Sequence, residues 1–389
     1  MARRKGAELM ARLEWTNLVG QERVKETLKA AFDSDALGHA YLFSGAAGVG
    51  TFQAALELGM GLLCDGSGGV PCYECESCRL VLRHAHPDFN LVFPVELSRE
   101  HRTGTRLSEE GWAYLARRST ERINDPYGRN PLTGVPQIPV EWIRELNHAV
   151  VRGASRGRWM VAVICGIDAM NAESANAMLK TLEEPPPGTT IILCTERPHA
   201  VLPTILSRCQ ILRFGYLPAE SMTEALGGML GREATDPAIA NAVRCASGSL
   251  GRARELVEQP LDEQLAVARA LLGLCTEEEW LRVADGIEAL VAGDLKQGRD
   301  YGAAERILTY VMYVIREAVV GGPGGGRNYF SRDSAVPVAA ADPERARRMI
   351  ALCQEAIGGV RARGNVMMVV TTFLIAMREV IHEQEQQPR

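Results

Sequence analysis

Four of the chain's 10 cysteines, Cys64, Cys72, Cys75 and Cys78, crowd into fifteen residues with the spacing C-x7-C-x2-C-x2-C. Four thiolates this close in sequence can close a tetrahedral Zn2+ site at a Zn–S distance of about 2.3 Å. The intervening Gly/Pro-rich DGSGGVP folds the first ligand back onto the other three, and Cys75 and Cys78 share one helical turn. Iron–sulfur ligation uses related spacings, but a proline follows its last cysteine where this chain has Arg79. A structural Zn2+ with no open coordination position is the expectation, and no metal catalysis goes with it. The other six cysteines stand singly in apolar segments, where a free thiol behaves as a small hydrophobe.

A second constellation is GAAGVGTF at residues 45–52. A phosphate loop would read G-x-x-x-x-G-K-[ST]. Its backbone N–H groups wrap the phosphates, its lysine reaches the terminal ones, and its hydroxyl holds Mg2+. Gly45 and Gly50 stand in register with Gly48 between them, but Thr51 takes the lysine position and Phe52 the hydroxyl position. Lysine is scarce in this chain, at positions 5, 25, 29, 180 and 296 only, which could explain an arginine there but not a threonine. A phenylalanine fills the space a metal would need. The acidic partner is also incomplete: after the apolar run 159–165, ICGIDAM offers Asp168 followed by Ala169, where an active site wants two adjacent acids. Both readings point to a loop of nucleotide-binding ancestry that no longer hydrolyses ATP.

The elements that must carry these residues follow from periodicity. Helices are expected over 21–33, 52–63, 140–151 and 172–183, the last ended by Pro185–Pro187 and Gly188. Short apolar runs at 41–43, 90–93, 159–165, 191–194 and 210–214 read as buried strands. Strands alternating with helices argue for an α/β domain with a mostly parallel sheet. From Pro218 onward the pattern is helical, with a GGPGGG loop at 321–326. The expected organisation is an α/β domain over 1–215 containing the zinc module (64–78), a small helical lid over 216–258, and an all-α domain over 259–389 suited to oligomerisation. The 389 residues suffice for two or three cores. With a net charge of −5, any nucleic-acid contact must be local. The most apolar late stretch, 366–377, is shorter than the roughly 20 residues a bilayer needs, and no apolar run follows the basic N-terminus. A cytoplasmic location is expected, with no membrane partner.

WTNLVGQ (15–21), HAYLFSGAAGVG (39–50), the four-cysteine module followed by HPDF (86–89), and above all ANAMLKTLEEPP with TILSRC inside 170–210 resemble the clamp-loader branch of the AAA+ proteins, the delta-prime type in particular. The resemblance implies an AAA+ α/β domain, a helical lid and a C-terminal collar. It also implies an ATPase-inactive member of a hetero-pentameric ring within a DNA polymerase holoenzyme. Partners would be gamma/tau-type ATPases and a delta-type subunit, with the sliding clamp and primed DNA reached through the complex. By the SRC motif, Ser207-Arg208-Cys209 would supply Arg208 as an arginine finger to a neighbour's ATP. Thr195 matches a phosphate-sensing position and is expected to serve structure here. Arg252, in GSLGRARE, lies near another such position and reads as a helix-surface residue. Residues 96–136 depart from the family pattern: about forty residues with Trp112, Tyr114, Tyr127, seven arginines and six acids, expected to be an extra packing element on the sheet edge. The competing readings are an active gamma/tau-like or repair ATPase, against which Thr51 and Phe52 speak, and a zinc-dependent DNA-binding module.

Overall fold

A computed structural model describes residues 12–104, 106–128, 137–258, 261–276, 285–286, 301–320, 342–361 and 364–383. The GGPGGG loop at 321–326 and the end of the insertion at 129–136 lie outside the described residues. The chain divides into two compact units. The first takes in residues 1–130 and 136–255, the second 131–135 and 256–389.

In the first unit the strands are β1 (Arg12–Leu13), β2 (Ala40–Ser44), β3 (Gly69–Val70), β4 (Phe89–Val92), β5 (Arg102–Thr103), β6 (Arg106–Leu107), β7 (Met160–Cys165), β8 (Thr189–Thr195) and β9 (Gln210–Arg213). The helices are α1 (Glu22–Asp33), α2 (Thr51–Leu63), α3 (Glu76–Leu82), α4 (Glu109–Asn124), α5 (Val140–Arg152), α6 (Ala172–Glu183), α7 (Pro203–Leu206), α8 (Ala219–Leu230), α9 (Pro237–Cys245) and α10 (Leu250–Glu258), the last of which carries the chain from the first unit into the second. Five strands form one parallel sheet in the order β4-β7-β8-β2-β9. Strands of a parallel sheet are covered on both faces, so they read as continuous apolar runs. AYLFS, MVAVIC and TTIILCT are buried along their whole length.

The strand order places β2, first of the five in the chain, between β8 and β9. The crevice outside the carboxyl ends at such a reversal is where open α/β sheets bind ligands. α2 begins there, directly after β2, and twelve of its thirteen residues are buried, from Phe52 to Leu63. Local chemistry sets the other boundaries. Asn171 accepts a hydrogen bond from the Ser174 N–H at 2.8 Å and starts α6. The prolines at 185–187 prevent α6 from continuing, and Gly188 takes φ 75°, donating no side chain where the Arg158 carbonyl comes close. The β1–β3 and β5–β6 pairs span two residues per strand, too few to show a period in the sequence.

The second unit is helical where described. The Tyr301–Val320 helix packs on α11 (Leu261–Thr276) and on Pro343–Arg361, and the Val366–His382 helix packs on Pro343–Arg361 and α11, closing a four-helix circuit. Leu271, Leu272, Val311, Ile315, Met349, Cys353, Leu374 and Met377 are buried within it.

Candidate functional site

The loop between β2 and α2 carries the three glycines that the sequence sets in register with a phosphate-loop pattern. Gly48 and Gly50 adopt φ 75° and 104°, a region that side chains rarely occupy, and Gly50 precedes α2 without a capping side chain. Gly45 lies against Phe214, where a Cβ would come within 2.7 Å of the Phe214 Cβ. The two substituted positions give the loop a different surface. Phe52, at the position that the phosphate-loop pattern gives to a hydroxyl, is 2% exposed, and Thr51 follows Gly50 as the first helical residue.

The acidic position is engaged by neighbours of this chain. Asp168 Oδ1 accepts the Thr195 hydroxyl at 2.8 Å, and its Oδ2 accepts Arg197 Nε at 2.8 Å. Thr195 Oγ1 in turn accepts the Arg197 N–H at 3.0 Å. The Asp168 side chain is 8% exposed and is held in an ion pair with the Arg197 guanidinium at 2.8 Å. Thr195 belongs to this network at the end of β8.

The insertion does not simply cover the sheet edge, contrary to the expectation from sequence. α4 packs against α3 and β6 and delivers Leu115 and Ile123 to the core, and the turn after it runs into the loop at 45–52. The guanidinium carbon of Arg122 stands 4.4 Å from the centre of the Phe52 ring. Tyr127, 3% exposed, lies against Gly50, where a Cβ would meet its ring at 3.2 Å. Its hydroxyl accepts the Val19 N–H at 2.8 Å and donates to the Asn17 carbonyl at 3.0 Å, reaching the WTNLVGQ segment. The α8–α10 helices close on the same loop: the Ser249 hydroxyl donates to the Ala47 carbonyl at 2.7 Å, and the Gly251 N–H to the Gly48 carbonyl at 3.1 Å. Arg252 is half-buried on that turn.

Arg208 projects from the short segment between α7 and β9. Its Nη1 donates to the Thr204 carbonyl at 2.7 Å and to Ser207 Oγ at 3.3 Å, and its Nη2 pairs with Glu183 at 2.5 Å. All three partners lie on α6 and α7 or directly beside them. Its side chain is 33% exposed. Cys209 behind it is half-buried, and burial pushes its thiol up to about 11.

The four clustered cysteines are brought together as their spacing predicts, with all four sulfurs within 4.8 Å of one another. Cys64 and Cys72 sulfurs are 3.5 Å apart and Cys64 and Cys75 sulfurs 3.8 Å apart, close to the roughly 3.8 Å edge of a tetrahedron with 2.3 Å metal–sulfur bonds. Cys75 caps α3, accepting the Cys78 N–H at 3.4 Å, and Cys72 accepts the Cys75 N–H at 3.4 Å. Burial raises the Cys72 thiol, but the N–H groups of Cys75 and Glu74 and the thiols of Cys64 and Cys75 outweigh it, bringing Cys72 down to about 7. An all-sulfur set of this size and softness suits a thiophilic ion such as zinc.

One organising residue escaped the sequence reading. Glu57, fully buried on α2, accepts Thr16 N at 3.1 Å, Asn17 N at 2.6 Å, Gln53 Nε2 at 2.7 Å and the Tyr73 hydroxyl at 2.9 Å. It ties the WTNLVGQ segment to the turn that carries Cys72 and Cys75. Its signal was a carboxylate inside the otherwise apolar run of α2.

Comparison with known proteins gives this assembly a place. The subunit delta' of DNA polymerase III from Bacillus subtilis is 30% identical over 206 residues, 53% of this chain and 51% of that one. The subunit tau from Escherichia coli is 30% identical over 286 residues, 71% of this chain and 38% of that one. The delta' subunit from Haemophilus influenzae is 29% identical over 180 residues, 46% of this chain and 43% of that one. The chain thus spans about half or less of the length of these relatives. A family model described as DNA polymerase III, delta subunit, matches residues 20–218, which hold the sheet, the loop at 45–52, the cysteine cluster and the SRC motif. This chain belongs to the DNA polymerase III delta subunit family.

Proposed function

We propose that the chain is a non-catalytic, delta-prime-type subunit of the clamp loader, which helps place the sliding clamp on primed DNA and lends Arg208 to the ATP of a neighbouring subunit. The observation that carries this reading is a contrast within one chain. Phe52 stands at the position the loop pattern gives to the metal-binding hydroxyl and Asp168 is bound to Arg197 and Thr195, while the SRC arginine is partly exposed and paired with Glu183. An arginine set against a γ-phosphate stabilises the transferring charge and is worth about 10³–10⁵ in phosphoryl transfer. Gly45, Gly48, Gly50 and Thr51 remain as the frame of an inactive loop. Zn2+ held by Cys64, Cys72, Cys75 and Cys78 staples the module and takes no part in chemistry.

Within this reading residues 216–258 act as a lid, and 259–389 as the collar that joins gamma/tau-type and delta-type subunits. Among the described residues no helix is long and apolar enough to cross a membrane. The active-ATPase reading draws on the tau-named relative but must supply hydrolysis without the loop lysine or hydroxyl. Two measurements test the proposal. The isolated chain should turn over no ATP, and turnover abolished by Gly50→Val would overturn it. Mixed with gamma/tau-type and delta-type subunits, the chain should enter one complex of defined size. A chain that stays apart from both would also overturn it.

A further inference from the structure

The segment after α4 is tied into the ancestral nucleotide crevice by contacts that sheet-edge packing would not need. Arg122 Nη1 donates to the carbonyls of Asp125 at 2.9 Å, Pro126 at 3.2 Å and Gly128 at 2.8 Å, gathering the segment into a knot around one guanidinium. That guanidinium then lies over Phe52 at 4.4 Å, a cation–π contact. Burial lowers the pKa of Arg122, opposed by the nearby Asp125 and Glu196 carboxylates, and the thiols of Cys165 and Cys194 lie close by. Cys165 ends β7, and Cys194 and Glu196 sit at the carboxyl end of β8, the side of the sheet where this fold class binds ligands. Tyr127 fills the space beside Gly50 and bonds to Val19 and Asn17. Above it, Asp125 pairs with Arg254 of α10, and the Tyr127 carbonyl lies so close to Gly251 that a Cβ there would collide with it. One short segment therefore touches the loop, the WTNLVGQ turn and α10 together.

We propose that Arg122–Gly128 is a built-in occupant of the nucleotide crevice, a stretch of this chain that takes the place of a nucleotide and fastens α10 to the loop at 45–52 without one. The substitution at position 52 and the insertion explain each other: the phenylalanine that removes the metal-binding hydroxyl provides the face on which Arg122 stacks. A fixed cation thus stands where an active loop would gather Mg2+. The inference rests on these contacts and is independent of the role given to Arg208.

Hydrogen exchange on the full-length chain tests it, with Mg2+–ATP at millimolar concentration as the probe. In the unsubstituted chain, ATP should leave exchange over residues 45–52 and 250–258 unchanged. Arg122→Ala combined with Tyr127→Ala should accelerate both segments together, by roughly tenfold for the loss of a stacked cation and a buried hydrogen bond, while peptides around Cys64–Cys78 keep their rate. Slower exchange of either segment on adding ATP to the unsubstituted chain would overturn the proposal, as would a double variant with both segments at the original rate. If the double variant unfolds throughout, Tyr127→Phe decides. It keeps the ring but removes the acceptor of the Val19 N–H, so the peptide containing Val19 should exchange faster, and an unchanged rate there overturns the proposal.

Discussion

Replacing Glu57 by glutamine keeps the volume and shape of the side chain and changes only what it can accept. The carboxylate takes four donors: Asn17 N, Gln53 Nε2 and the Tyr73 hydroxyl at Oε1, and Thr16 N at Oε2. An amide offers one oxygen, so when that oxygen serves the three donors at Oε1, its NH2 faces the Thr16 N–H. One buried donor loses its acceptor and meets another donor, a loss of about 1.5–3 kcal/mol for a hydrogen bond to a charged group. At the middle of that range the ratio of folded to unfolded chain falls by roughly 45-fold. Glu57→Leu strips all four donors and should cost more, about 4 kcal/mol. The loss should be local in a second sense. Tyr73 lies between Cys72 and Cys75 with φ 60°, a backbone conformation its hydrogen bond to Glu57 helps hold. Urea unfolding followed by circular dichroism reads the stability, and a chromophoric chelator reads metal release from the cysteine cluster. Both should move in Glu57→Gln. A variant within 0.5 kcal/mol of the parent, with unchanged metal release, would refute the role given to Glu57.

Cys75→Ser should leave a three-sulfur cluster while its hydroxyl can still accept the Cys78 N–H at the start of α3, so the purified protein should retain less than one Zn2+ per chain and unfold more readily through lost metal; elemental analysis finding iron, or no metal after metal-replete expression, would count against zinc. Asp88 accepts Ser155 N at 2.7 Å, Ser155 Oγ at 2.8 Å and Arg156 N at 2.8 Å. Burial raises its pKa, but these bonds outweigh burial and hold it below the ordinary value. A depressed carboxylate pKa contributes stability that is present above the unfolded value of about 3.9 and is lost as pH falls through the folded one. Asp88→Asn should therefore lower stability near neutral pH by about 1–2 kcal/mol and flatten the acid limb of the stability curve below about pH 4. Parallel acid limbs in variant and parent would contradict that assignment.

The sheet was legible because a parallel strand buried on both faces must be apolar throughout, and 159–165 and 191–194 mark β7 and β8 to within two residues. α6 was legible at both ends, since Asn171 caps it and Pro185–Pro187 forbid its continuation. The cysteine cluster could be read from spacing alone, because its ligands are local in sequence. What escaped is non-local. Arg122 finds Phe52, and Tyr127 finds Val19 and Asn17 more than a hundred residues away, and no periodicity encodes such pairs. The engagement of Asp168 by Arg197 is hidden for a similar reason: the two meet only because β7 and β8 are neighbours in the sheet.

The central proposal is that a chain with an inactive loop acts on another subunit's ATP through Arg208. It is tested most directly by rebuilding the complex with Arg208→Ala and measuring DNA-stimulated ATP hydrolysis. Arg208 is partly exposed and its ion pair with Glu183 lies at the surface, so the substitution should leave folding and assembly intact. Hydrolysis and clamp loading should fall, partially if other interfaces keep their own arginines, and Arg208→Lys should restore little because a point charge does not reproduce the planar fork. A fully assembled complex carrying Arg208→Ala that hydrolyses ATP and loads clamps at the unsubstituted rate would contradict the account.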